Sequence, residues 1–112
     1  MNLALSIENL GKRETSTVTG STVKRLFGAS NATGNSPLRK GVQVCNHSPA
    51  YALRLKLVAK NATLPTVSAS DFDYLVLPGS TVLIPAGEGI DVCALNSSGA
   101  SGTAAYSALE VF

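Results

Sequence analysis

The chain contains no tryptophan, one histidine, one methionine and two cysteines among 112 residues. Each scarcity removes a class of function. His47 has only Ser48 beside it as a nucleophile, and no third residue is marked to orient such a base or to build an oxyanion hole. It is read as an exposed turn residue, and no enzyme activity is expected. Cys45 and Cys93 form no CxxC and share no zinc-type spacing with the histidine, so neither a metal centre nor a disulfide framework is expected. Without tryptophan, a sugar site would rest on Tyr51, Tyr74 and Tyr106, of which Tyr51 fits a core position better. Apolar runs reach only a few residues, far short of a membrane span. Met1 to Leu10 lacks the basic and apolar regions of a signal peptide. A reducing cytosol is therefore the expected place of synthesis, and two free thiols the expected state.

Charge is also scarce. Charged residues make up 14% of the chain, against about 25% in ordinary soluble domains. A weakly solvated surface suits a protein that works packed against others, and equally a compact Thr/Ser-rich domain with a neutral polar exterior. The few charges are unevenly placed. All nine basic residues lie in residues 1–60 with only Glu8 and Glu14, whereas residues 61–112 hold Asp71, Asp73, Glu88, Asp91 and Glu110 and no base. Lys12, Arg13, Lys24, Arg25, Arg39 and Lys40 come as three adjacent pairs. They are candidates for contact with an acidic partner, against the alternative that they solvate loops and strand ends. Only Phe27 lies near such a pair, so the aromatic interleaving of a nucleic-acid surface is missing.

Alternation and turn residues are abundant. Between Tyr51 and Leu57, large apolar groups fall at every second position, with Arg54 and Lys56 between them. On a helix Leu55 would face away from Leu53 and Leu57, so the segment 50–59 is a strand. Further strands are predicted within 15–27, with a bend at Gly20, and at 41–45, 72–77, 81–84 and 90–95. Leu109-Glu110-Val111 makes 103–112 another, although Ala105, Ala108 and Leu109 also fit a helical stripe. Leu3, Leu5 and Ile7 alternate as well, and 1–20 is read as an edge strand or an arm. Residues 28–37 are almost all turn formers. Four Asn-x-Ser/Thr triplets, at Asn31, Asn46, Asn61 and Asn96, are read as turn chemistry, not as glycan acceptors. Asp71 and Asp73 share one strand face and are assigned to solvent. Gly87-Glu88-Gly89 is a hairpin bend. Cys45 and Cys93 would approach each other only if their strands were neighbours. The sum is seven or eight short strands in one domain spanning 1–112, an all-β antiparallel sandwich of jelly-roll type.

From Arg39 to Phe112 the layout resembles small bacteriophage virion proteins. The carrying features are Gly-Val-Gln-Val-Cys-Asn-His-Ser-Pro at 41–49, the alternating strand at 50–58, Val-Leu-Pro-Gly-Ser-Thr-Val-Leu-Ile-Pro at 76–85 and Gly-Ile-Asp-Val-Cys-Ala-Leu-Asn-Ser-Ser-Gly at 89–99. The resemblance covers about two-thirds of the chain. It implies a capsid decoration, or cement, protein on the virion surface. It implies a homo-oligomer, dimer or trimer, bound to the major capsid protein, with no cofactor, no membrane and no direct nucleic-acid contact. A tail or neck accessory protein and a carbohydrate-binding sandwich are the alternatives.

Overall fold

The computed structural model describes residues 13–28, 38–98 and 102–112. All regular structure in them is strand: β1 Arg13–Thr19, β2 Lys24–Arg25, β3 Gly41–Asn46, β4 Leu53–Ala59, β5 Tyr74–Val76, β6 Thr81–Ile84, β7 Ile90–Asn96 and β8 Thr103–Val111. The first sheet has the order β1-β8-β3-β6 and the second β2-β7-β4-β5. Within the sheets, β1 pairs with β8, β2 with β7, β3 with β6 and β4 with β5, all antiparallel. This is the pairing of one long hairpin, the first four strands against the last four, rolled into two facing sheets. It is the eight-stranded jelly roll.

Period-two alternation decides what is buried. Val18, Val42, Val44, Leu53, Leu55, Val76 and Tyr106 are fully inside. The long alternating segment is β4, with Leu53, Leu55 and Leu57 turned to the core and Arg54 and Lys56 outward. The segment 103–112 is a nine-residue strand, because Ala104, Tyr106, Ala108 and Glu110 share a buried face, a period of two. The Leu77–Ser80 turn closes with Ser80 N–H donating to Leu77 O at 2.9 Å, and Gly79 has φ +76°. Pro at the second position and a left-handed glycine at the third define a type II turn.

Several boundaries differ from the sequence reading. Arg13 and Glu14 belong to β1, so the latter part of the segment expected as an edge strand or an arm is an edge strand, paired with β8 over seven positions. Lys12, Met1–Leu10 and Asn31 lie outside the described residues. β5 is shorter than 72–77. Asp73 spends its carboxylate on the Leu57 N–H at 2.8 Å, while Asp71 bridges to Ser68 and pairs with Lys56. Cys45 and Cys93 lie on different sheets, so their strands are not neighbours and both thiols are free.

Asn46 and Asn96 hold equivalent posts at the ends of β3 and β7, and both are buried. Asn46 Nδ2 donates to Tyr51 O and Val76 O, and its Oδ1 accepts the Ser48 N–H. Asn96 Nδ2 donates to Val18 O and Gly102 O, and its Oδ1 accepts the Ser98 N–H. Each amide satisfies a turn two residues on and reaches a strand of the opposite sheet. The Asn-x-Ser triplets are therefore structural bolts as well as turns.

Candidate functional site

The two outer faces differ in charge. Outside the second sheet, most charges are met within the protein, and Arg54 lies 6.0 Å from the Phe72 ring centre. Arg25 pairs with Asp91 and donates to Ala62 O, and the Asn61 N–H donates to Asp91. Lys56 pairs with Asp71 at 2.7 Å, and Lys60 with Glu88 at 3.9 Å. These contacts tie the 60–73 connection to the sheet, where Cys93 is buried and burial pushes its thiol up, partly offset by Arg25.

The outer face of the first sheet is nearly free of charge. Strand parity and register place on it Arg13, Thr15, Thr17 and Thr19 from β1, and Thr103, Ala105, Ser107, Leu109 and Val111 from β8. Gly41, Gln43 and Cys45 join them from β3, and Thr81 and Leu83 from β6. Arg13 is the only charged side chain in that set. Thr15, Gln43, Cys45, Thr81, Ser107 and Leu109 line a shallow depression of about 450 Å³. At one end Leu83, Pro85 and Val111 wall an apolar slot of about 200 Å³ with Gly41 as its floor. A Cβ at Gly41 would meet Ile84 O at 2.7 Å, so the floor admits no side chain without a shift. Leu83 is 63% exposed.

The five basic candidates among the described residues do not form one surface. Arg39 is a correction to the sequence reading: it is buried, pairs with Glu110 at 3.1 Å, and donates to Ala86 O, Gly87 O and Ile90 O. Arg25 is engaged as described. Lys24 Nζ turns between the sheets, 2.5 Å from Ser16 Oγ and 5.5 Å from the Tyr106 ring centre. Lys24 and Arg25 border a separate open groove with Thr17, Thr19 and Leu64. Arg13 and Lys40 stay exposed at the same end of the first sheet, Arg13 opposite Leu109 and Lys40 bonded through its N–H to Val111 O.

The tyrosines considered for sugar contact are packed inward. Tyr51 and Tyr74 lie against the core and Tyr106 is fully buried. Tyr106 Oη donates to Glu14, whose carboxylate also accepts the Phe27 N–H. Burial, then the bond to Glu14, raises the Tyr106 phenol far above its ordinary value. A group held neutral in this way stabilises the fold below the unfolded-state value of about 10, and its contribution falls as pH rises past that point. In an alkaline titration followed by tyrosinate absorbance, one tyrosine is expected to ionise only on unfolding, and Tyr106→Phe to abolish that late component.

Among the described residues no group of three or more His, Cys, Asp or Glu side chains is placed to hold a metal ion. One cluster escaped the sequence reading. His47 and Cys45 sit two positions apart on an extended chain, and both project onto the neutral face beside Ser107. The signal was the i, i+2 spacing, obscured by reading His47 as part of a turn. Compared with protein-family models, with curated proteins and with solved structures, the chain shows no match.

Proposed function

We propose that the protein is a non-catalytic virion structural protein of the decoration type, docking through the outer face of the first sheet onto the major capsid protein. The observation that carries the reading is the contrast between the faces: one sheet carries charges, most of them paired internally, and the other presents a largely neutral Thr/Ser/Ala surface with an apolar slot at its cationic end. A neutral face costs little to desolvate on docking, and a slot walled by Leu83 and Val111 accepts an apolar anchor from the partner. Arg13 and Lys40 at its rim favour an acidic surround and govern encounter more than hold. Repetition over a capsid turns a modest contact into firm attachment, and oligomerisation into a dimer or trimer multiplies it further. The jelly roll serves capsid and lectin domains alike, so the fold alone does not select between them.

The test is co-sedimentation with assembled phage heads, alongside light scattering of the free protein. Wild type is expected to pellet with heads. Leu83→Arg, an exposed change that leaves the core intact, is expected to bind at least about tenfold more weakly with unchanged melting, as for loss of a central anchor. A monomer that ignores heads overturns the reading, and binding on a glycan array would replace it with the lectin-like one.

A further inference from the structure

Cys45 and Ser107 stand directly opposite each other on β3 and β8. One step beyond β3, the His47 N–H donates to Ala105 O at 2.8 Å, so the histidine backbone continues the ladder and does not swing as a loop would. Its ring spans the two strands. Nδ1 is 3.8 Å from Cys45 Sγ and Nε2 is 2.9 Å from Ser107 Oγ. With Nε2–H donating to the serine oxygen, the Nδ1 lone pair faces the thiol. A nucleophile, a base within reach and a third group fixing the base make the arrangement that activates cysteine. The thiol opens onto the depression lined by Thr15, Gln43 and Thr81. The charged neighbours there are Arg13, at its margin, and Glu14, whose carboxylate turns inward to Tyr106; β6 and β8 contribute none to the lining. Cys93, by contrast, is fully buried.

We propose that Cys45 is a reactive modification site that exchanges with a low-molecular-mass disulfide, with His47 as its general base and Ser107 as the residue positioning that base. Sγ attacks one sulfur of the disulfide as its proton passes to His47 Nδ1. The Cys45–S bond forms, the reagent's S–S bond breaks, and its second sulfur leaves with the electron pair. The imidazolium then returns the proton to solvent. Cys45 is oxidised to a mixed disulfide and the reagent is reduced to one thiol, so no further oxidant is needed. Cys45 lies on the face proposed above for docking, so the reaction belongs to the undocked chain, and its failure would leave the docking reading standing.

The experiment is the rate of reaction of the folded chain with 4,4′-dithiodipyridine, an uncharged disulfide at neutral pH, followed from pH 6 to 9. The neutral reagent prevents attraction by a cationic histidine from passing for activation. One fast equivalent is expected, lost in Cys45→Ser and kept in Cys93→Ser. His47→Gln, which can still bond Ser107, is expected to slow it by about tenfold or more at pH 7, less than the roughly hundredfold usual for a general base because the site is open to water. It should also change the pH profile of the rate while leaving the melting temperature in place. Ser107→Ala should give an intermediate rate. A rate and profile equal to those of a short cysteine peptide would overturn the proposal. So would a fast phase that maps to Cys93, or one that His47→Gln leaves unchanged.

Discussion

Replacing Arg39 by methionine is expected to destabilise the fold by about 3–5 kcal/mol, because it leaves the Glu110 carboxylate buried without its guanidinium. The two side chains are 1% and 0% exposed and meet at 3.1 Å. The same guanidinium donates to Ala86 O at 2.9 Å, Gly87 O at 3.0 Å and Ile90 O at 2.5 Å. It thus ties β8 of the first sheet to the β6–β7 connection and to the start of β7 in the second. Domains of this size hold about 5–15 kcal/mol in total, so the loss is a large fraction of what exists. Converting Glu110 to methionine as well should recover part of it, since the buried carboxylate is then removed with its guanidinium. Recovery should be incomplete, because the three carbonyls stay without their donor. Urea unfolding of both single variants and the double variant at pH 7 checks this. A single-variant loss under about 1 kcal/mol, or a double variant worse than both singles together, would refute the assignment.

The second large effect is expected at the two buried asparagines. Asn46→Asp and Asn96→Asp keep the oxygen that accepts the N–H two residues on, but replace the Nδ2 donor by an oxygen facing two carbonyls. Each group left without a partner costs about 1–3 kcal/mol, and more when it is charged. The direction with pH follows from burial. The neutral carboxyl is favoured in the folded chain, so its folded value rises above the unfolded value of about 3.9. Below that value both states hold the proton and the loss relative to wild type is smallest. As pH rises above about 4 the unfolded chain releases its proton first, and the loss grows until the folded group titrates. Denaturation of each variant against wild type at pH 4 and pH 7 measures it. A loss that is equal at the two pH values would contradict the placement of these amides.

The same residues separate what was legible in the chain from what was not. β3, β4 and β7 were readable as strands because alternation leaves one solution for which side chains share a face, β6 from the turns that bound it, and β8 only against a competing helical stripe at Ala105, Ala108 and Leu109. The bounds of the short β2, inside the strand-forming stretch 15–27, and the start of β1 at Arg13 were not. Two paired residues carry no periodicity, and an edge strand half open to water tolerates Arg-Glu as readily as Val-Thr. Asn46 and Asn96 were legible as turn formers, from local chemistry alone. That they also cross to the opposite sheet depends on strands far away in sequence.

The candidate face shows the same division. Scarce charge was visible in the composition, but its sorting onto one sheet was not, because which strand adjoins which is decided by pairing and not by order along the chain. Arg39 looked like half of a surface pair with Lys40. Its burial depends on Glu110, 71 residues away, and on carbonyls that converge only when the sheets close. Period and turn chemistry, both local, determined from sequence that this chain is a single set of short antiparallel strands with little charge to hold at its surface. The tertiary structure alone decided which cations remain free, which cysteine meets a histidine and which face is left neutral, since each of these depends on side chains brought together by long-range strand pairing.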